Sequence, residues 1–339
     1  MTSLYSKGPQ NIPQGFTNPT SSFRKHVWLS ILGLLFFIVI YIVLIIWFGQ
    51  LAYSSFLHGD TFWHYLLSGG YAFLCVFMIK SLFIFSKREK DPLEKYITKE
   101  EEPLLFDYLY KLADEAGAPR PHKVFLSPRV NASVSYDLSI IYLIIPSKKN
   151  LEIGLGLMNV LSLGELKAVL AHEFGHFAQR SMLLGRYVYV AQQIATQIIN
   201  KRDIFDQFLV GISNIDIRIS WIGWILSILV WAVRSLIETC FSVVVIAQRA
   251  LSREMEFQAD LVAVSLTGSD ALIHALSRLQ VADEAYDQAI VTINDKLGDG
   301  EAIHNLYKLQ TNYIKKMSWV LNEPFYGKSP EVVTENPES

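Results

Sequence analysis

Val27–Gly49 is a run of 23 residues without a charged side chain. Coiled as a helix it reaches about 35 Å, enough to cross the hydrocarbon core of a bilayer. Lipid offers no hydrogen bonds, so a helix, which satisfies its backbone internally, is the form such a run can take there. Phe62–Phe85 is a second apolar run, with Lys80 near one end, where a long basic side chain reaches the headgroups. Together they predict a transmembrane hairpin over residues 27–86. The first run is too long, and lies too far from Met1, to be a cleaved leader. Hydrophobic residues make up 51% of the chain and charged ones 18%, a membrane-like balance. The lipid bilayer is therefore an expected partner, whereas a net charge of −2 gives no reason to expect nucleic acid.

Basic residues orient the hairpin. Lys7, Arg24 and Lys25 precede it, and Lys87, Arg88, Lys90, Lys95 and Lys99 follow it. The loop Gln50–Thr61 has no Lys or Arg. By the positive-inside rule both ends of the hairpin, and the segment after it, face the cytoplasm. Cys75 and Cys240 lie in apolar stretches without metal-like spacing, so free thiols are expected.

The chemistry is concentrated in HEFGH, His172–His176. On a helix, residues four apart share a face, so His172 and His176 can hold one Zn²⁺ from the same side. Glu173 lies where a carboxylate can take a proton from water. Ser162 and Glu165 have capping-box spacing, and Leu166, Val169, Leu170, Phe174 and Phe177 form an apolar stripe, so the motif falls on a helix. Gly175 within it lets another backbone approach closely. A catalytic zinc site needs a third protein ligand. In SREMEFQAD, Ser252–Asp260, Glu256 and Asp260 are four apart. Glu256 can be that ligand, with Asp260 holding a ligand histidine by its other ring nitrogen. Glu254 is the competing candidate, without an acidic residue four positions later.

HEFGH followed at long range by S-R-x-x-E-F-x-A-D resembles the integral-membrane zinc metallopeptidases of the HtpX and CAAX prenyl endopeptidase type. The stretch Gly117–Ser135 is similar to the segment that precedes their metal helix. The resemblance runs over about Leu104–Leu279. It implies zinc ligands His172, His176 and Glu256, one Zn²⁺ per chain, Glu173 as base and Asp260 as the catalytic-site carboxylate behind a ligand histidine. Asn131 and Ala132 match the Asn-Ala that begins the family's substrate-facing edge strand, so Asn131, Ala132 and Ser133 are expected to bind substrate.

The fold expected is mainly α, with an α+β catalytic part: the transmembrane hairpin, a zincin-like (gluzincin) domain with a small sheet, and a further hydrophobic helical segment between the two zinc motifs. Residues 1–26 read as a loose cytoplasmic arm, 87–103 as a charged linker and 104–180 as the first half of the metallopeptidase domain. Residues 181–251 read as membrane-associated helices, 252–325 as the second half and 326–339 as a disordered tail. Leu104–Ala116 reads as a helix, and Lys123–Leu126, Val130–Tyr136 and Ser139–Pro146 as strands. Met182–Ile199 is apolar on one side, and Ile219–Ala250 is apolar apart from Arg234 and Glu238, which are spaced to pair.

These readings converge on a multi-pass protease of a bacterial inner membrane, cutting misfolded or damaged polypeptides at the cytoplasmic face. A CAAX-type processing protease and a non-catalytic zinc-containing adaptor are the alternatives, and the oligomeric state is not legible. The resemblance also implies a His-Pro segment with a following Arg near the zinc, and this chain has no His-Pro pair. Either a longer protein continues past Ser339, or His274, Arg278 or His304 stabilises the oxyanion.

Overall fold

A computed structural model of the chain describes residues 5–6, 8–82, 92–136, 149–179, 182–199, 204–214, 217–303, 305–322 and 327. It divides into two compact units, one made of Met1–Pro19, Arg88–Arg180 and Met255–Ser339, the other of Thr20–Lys87 and Ser181–Glu254.

The second unit is helical. Thr20 caps α1 (Ser21–Leu57), its hydroxyl accepting from Phe23 N at 3.0 Å, and α2 (Phe62–Lys80) returns alongside after a short loop. Leu34, Phe37, Tyr41, Leu44 and Phe48 of α1 are buried in one cluster with Leu74, Phe77 and Met78 of α2. Where the buried Tyr41 brings a hydroxyl into this contact, it donates to the Met78 carbonyl at 2.7 Å, so no polar atom is stranded. The opposite face stays apolar and uncovered, with Trp28 65% exposed and Trp47 54% exposed. That is the pattern of a helix solvated by hydrocarbon rather than water. α6 (Met182–Ile199) and α7 (Ile204–Ser213) complete the unit, with the N-terminal part of α8 (Ile217–Thr267). By length and composition, helices over Ser21–Leu57, Phe62–Lys80 and Ser220–Thr267 are long and apolar enough to cross a membrane.

α8 differs from expectation in extent. With no proline between Ile217 and Thr267, the apolar stretch and SREMEFQAD form one 51-residue helix. Arg234 also differs. Its fork closes on Asp206 of α7, with Nη1–Oδ1 and Nη2–Oδ2 both 2.8 Å, while Nε donates to Ile198 O at 2.7 Å. Glu238, the partner expected from spacing, is exposed. A buried guanidinium needs several acceptors in its plane, which a bidentate carboxylate and a carbonyl supply and a neighbour on the outer face does not.

The first unit carries the sheet. β1 (Lys95–Ile97), β2 (Lys123–Ser127), β3 (Ala132–Tyr136) and β4 (Lys149–Gly154) lie in the order β1-β2-β4-β3. β2 and β4 are parallel, and β1 and β3 are antiparallel to their neighbours. Among the described residues β3 therefore forms an edge. The strand expected over 139–146 lies outside the described residues, as does the tail over 326–339 apart from Gly327. β1 and β4 carry no strand signal in the sequence, because Lys95–Ile97 is too short and β4, buried along most of its length, does not alternate.

Pro103 opens α3 (Pro103–Glu115), where a missing N–H costs nothing. After β4, α4 (Leu155–Val160) leads to α5 (Leu163–Ala178), which starts on the expected capping box, Ser162 N donating to Glu165 Oε2 at 2.8 Å. The last part of α8, then α9 (Ser269–Gly298) and α10 (Leu306–Val320), close the unit. Its core joins Leu109 and Leu112 of α3, Val124, Leu151 and Ile153 of the sheet, and Leu170, Phe174 and Phe177 of α5.

Residues expected to form a loose arm are built into the structure instead: α1 begins at Ser21, and residues up to Pro19 belong to the sheet-containing unit. Tyr5 and Ser6 there make specific contacts, so polar composition did not mean a lack of partners.

Candidate metal centre

α5 presents His172 and His176 one turn apart, their Nε2 atoms separated by 3.1 Å. Glu256, on the last part of α8, brings Oε2 to 3.3 Å from His172 Nε2 and 3.4 Å from His176 Nε2. The three ligand atoms all lie within 4.8 Å of one another. Glu254, the alternative, points elsewhere, accepting hydrogen bonds from the hydroxyls of Ser22 and Thr20. The two-residue difference is a rotation of about 200° around the helix, which carries one glutamate to the histidines and the other away.

Two interlocks hold α8 against α5. A Cβ on Gly175 would lie 2.8 Å from the Cα of Ala259, so the backbones meet where a side chain has no room. Gln179, the residue that caps α5, donates from Nε2 to the Met255 carbonyl at 2.8 Å, immediately before Glu256. No local sequence signal marks Gln179, since a lone amide past a helix end carries no distinguishing pattern.

Asp260 Oδ1 lies 2.8 Å from His172 Nδ1. That contact orients the ring and assigns its proton to Nδ1, leaving the Nε2 lone pair aimed at the cluster. Burial opposes charge on His172, but Glu256, Glu173 and Asp260 outweigh it and hold its pKa above the ordinary histidine range. The Glu256 carboxyl, beyond the apolar stretch of α8, is held well below the usual carboxylate range by His172 and His176. Burial pushes the Glu173 carboxyl up, although both histidines pull it down and the backbone of Val134 on β3 hydrogen-bonds its charged form. Val134 is a further residue the sequence did not mark, because its contribution is a backbone N–H.

Beside Glu173 and His172 opens a cavity of about 350 Å³, walled by Leu157, Val169, Leu272 and Leu279 and edged by Asn131 and Ala132. Of the three expected substrate-binding residues, Asn131 and Ala132 line this cavity. Ser133 turns its hydroxyl to Glu152 Oε2 at 3.3 Å and offers the cavity no side chain. Arg278, a candidate for the oxyanion role, is committed to the other end of α5, where Nη1 lies 3.0 Å from Glu165 Oε2 and 3.4 Å from Val160 O. Neither Arg278 nor His274 lines the cavity, and His304 lies outside the described residues.

Comparison with known proteins gives the class. Residues 101–308 match the family described as Peptidase family M48. That is more than half of the 339 residues, so the chain belongs to peptidase family M48, whose members are generally zinc metallopeptidases. Among individual relatives, "Protease HtpX homolog 2" of Methanosarcina acetivorans is 29% identical over 184 residues, 54% of this chain and 57% of that protein. "Protease HtpX homolog" of Pelotomaculum thermopropionicum is 27% identical over 221 residues, 63% of this chain and 73% of that protein. "Protease HtpX" of Haemophilus influenzae is 29% identical over 191 residues, 53% of this chain and 60% of that protein. The chain thus spans less than two thirds of the Methanosarcina and Haemophilus relatives it matches. No solved structure matches it.

Proposed function

We propose that this chain is a membrane-bound zinc endopeptidase that cuts extended, unfolded polypeptides at the cytoplasmic face. The observation that carries the reading is the meeting of His172, His176 and Glu256 within 4.8 Å, with Glu173 on the same helix beside an edge strand. Two imidazoles and one carboxylate are the donor set of a catalytic rather than a closed structural zinc site. Zinc bound there supplies a Lewis acid and lowers the pKa of water at neutral pH.

The chain's own residues do the rest. Asp260 keeps His172 in the ligating tautomer. Glu173 accepts a proton as water adds to the scissile carbonyl carbon, then delivers it to the amine nitrogen as the C–N bond breaks. Burial raises the Glu173 carboxyl, which favours its holding a proton, while His176 and His172, and to a smaller extent the Val134 backbone, favour the ionised form that acts as a base. β3 accepts an extended peptide by strand addition, which reads backbone in preference to side chains and favours unfolded segments. The apolar cavity takes a large aliphatic or aromatic side chain next to the scissile bond. The basic residues flanking the hairpin support placing this unit on the cytoplasmic side, and the length and apolarity of α8 support embedding its stretch near 219–250 in the membrane.

The test is elemental analysis of detergent-purified protein with casein digestion by wild type and Glu173→Gln. About one zinc per chain in both proteins, with cleavage only by wild type, is expected. Cleavage retained by Glu173→Gln would remove the base assignment.

A further inference from the structure

The residues ahead of α1 run along the ligand-bearing end of α8. Thr17 O accepts from Gln258 Nε2 at 2.8 Å, and Gln258 itself is only 4% exposed. Further back, a Cβ on Gly8 would run into Leu266 O, so the arm touches the helix backbone two turns beyond Gln258. Ser6 O then accepts from Lys167 Nζ at 2.9 Å, and the same ammonium donates to Leu266 O at 3.1 Å. Lys167 lies on α5, five residues before His172, with a side chain 2% exposed. Tyr5 closes the junction, its ring 4.2 Å from Lys167 Nζ and its hydroxyl donating to Glu115.

We propose that this arm is a strap that positions the third zinc ligand, with Gln258, Lys167 and Tyr5 as positioning residues. Gln258 sits between Glu256 and Asp260 in sequence, and its side chain is held by the arm. Ala259 and Met255 are held by α5. The ligand-bearing turn is therefore gripped from two directions. Lys167 joins the two grips, because its buried charge takes acceptors from the arm and from α8 together. Without the arm, that ammonium keeps Leu266 O and the Glu115 carboxylate at 3.8 Å but loses the Ser6 carbonyl and the Tyr5 ring, and a buried charge short of acceptors loosens the helices it connects. The inference rests on the zinc reading above.

The experiment is zinc release to excess chelator, well below the unfolding temperature, on full-length protein and on a variant lacking residues 2–17. The expected result is zinc release about tenfold faster from the truncated protein, the scale at which residues behind a ligand act. Unchanged helical circular dichroism, and slow release restored by a peptide of residues 1–19, are expected with it. Gln258→Ala is measured alongside, so a truncated protein that fails to fold still leaves a decision: faster release supports the strap and wild-type release overturns it. Truncated, folded protein that releases zinc at the wild-type rate also overturns it. Wild type that holds no zinc overturns the metal reading, and the strap with it.

Discussion

Gly175 and Ala259 meet backbone to backbone, with an added Cβ on the glycine only 2.8 Å from the alanine Cα. One residue from each metal-bearing helix is thus a spacer whose size sets the distance between the histidines and Glu256. Gly175→Ala gains roughly 1 kcal/mol of helix propensity but overpacks the contact by about 1–3 kcal/mol. The expected outcome is lower zinc affinity and a lower unfolding temperature. Gly164→Ala, in the same helix with nothing within 4 Å of the added Cβ, is expected to keep both at or above wild type. Chelator competition and thermal unfolding on the pair check the contrast.

Asp260 acts on zinc through His172 Nδ1 at 2.8 Å. Asp260→Asn keeps the shape but weakens the acceptor, so zinc affinity is expected to fall about 10–100-fold with the fold intact. Competition with a chromogenic chelator measures it, and affinity equal to wild type would show that the contact does not tune the ligand.

Lys149 on β4 donates to the Phe177 carbonyl at the end of α5, and burial pulls its pKa from the ordinary 10.5 down to about 8. Between these values the unfolded chain binds more protons than the folded one, so stability rises with pH across that window. Below about 8 the cost of the buried charge is fully present. Unfolding temperatures from pH 7 to 10 are expected to climb for wild type relative to Lys149→Met, which lacks the titrating group. Parallel curves would place the Lys149 charge in water.

Arg234 and Asp206 form a buried fork in the helical unit. Arg234→Met removes the bidentate partner of the Asp206 carboxylate and is expected to cost about 3–5 kcal/mol, whereas Arg234→Met with Asp206→Leu recovers most of it. Denaturation in detergent of the single and double variants reads the difference. A double variant no more stable than the single one would mean that the lost Arg234 contacts, not the carboxylate left behind, set the cost.

What was legible at the metal centre was what short-range geometry dictates. HEFGH puts two histidines on one helical face, and the capping box at Ser162 places the start of that helix. The choice between Glu254 and Glu256 was posed by spacing, but only the approach of α8 to α5 decides which face meets the histidines. The roles of Gln179 and of the Val134 backbone carried no local signal, because each depends on a neighbour distant in sequence.

Apolar runs long enough for a bilayer, and residues able to share a zinc ion, are readable along the chain because helical periodicity and side-chain chemistry are local properties. Three-dimensional packing pairs Arg234 with Asp206 rather than Glu238. It also decided that Arg278 serves the start of α5, and that the polar N-terminal residues lie along the ligand-bearing turn of α8. Those outcomes rest on contacts between distant segments, where burial makes each polar group take whichever partner the packing brings within reach.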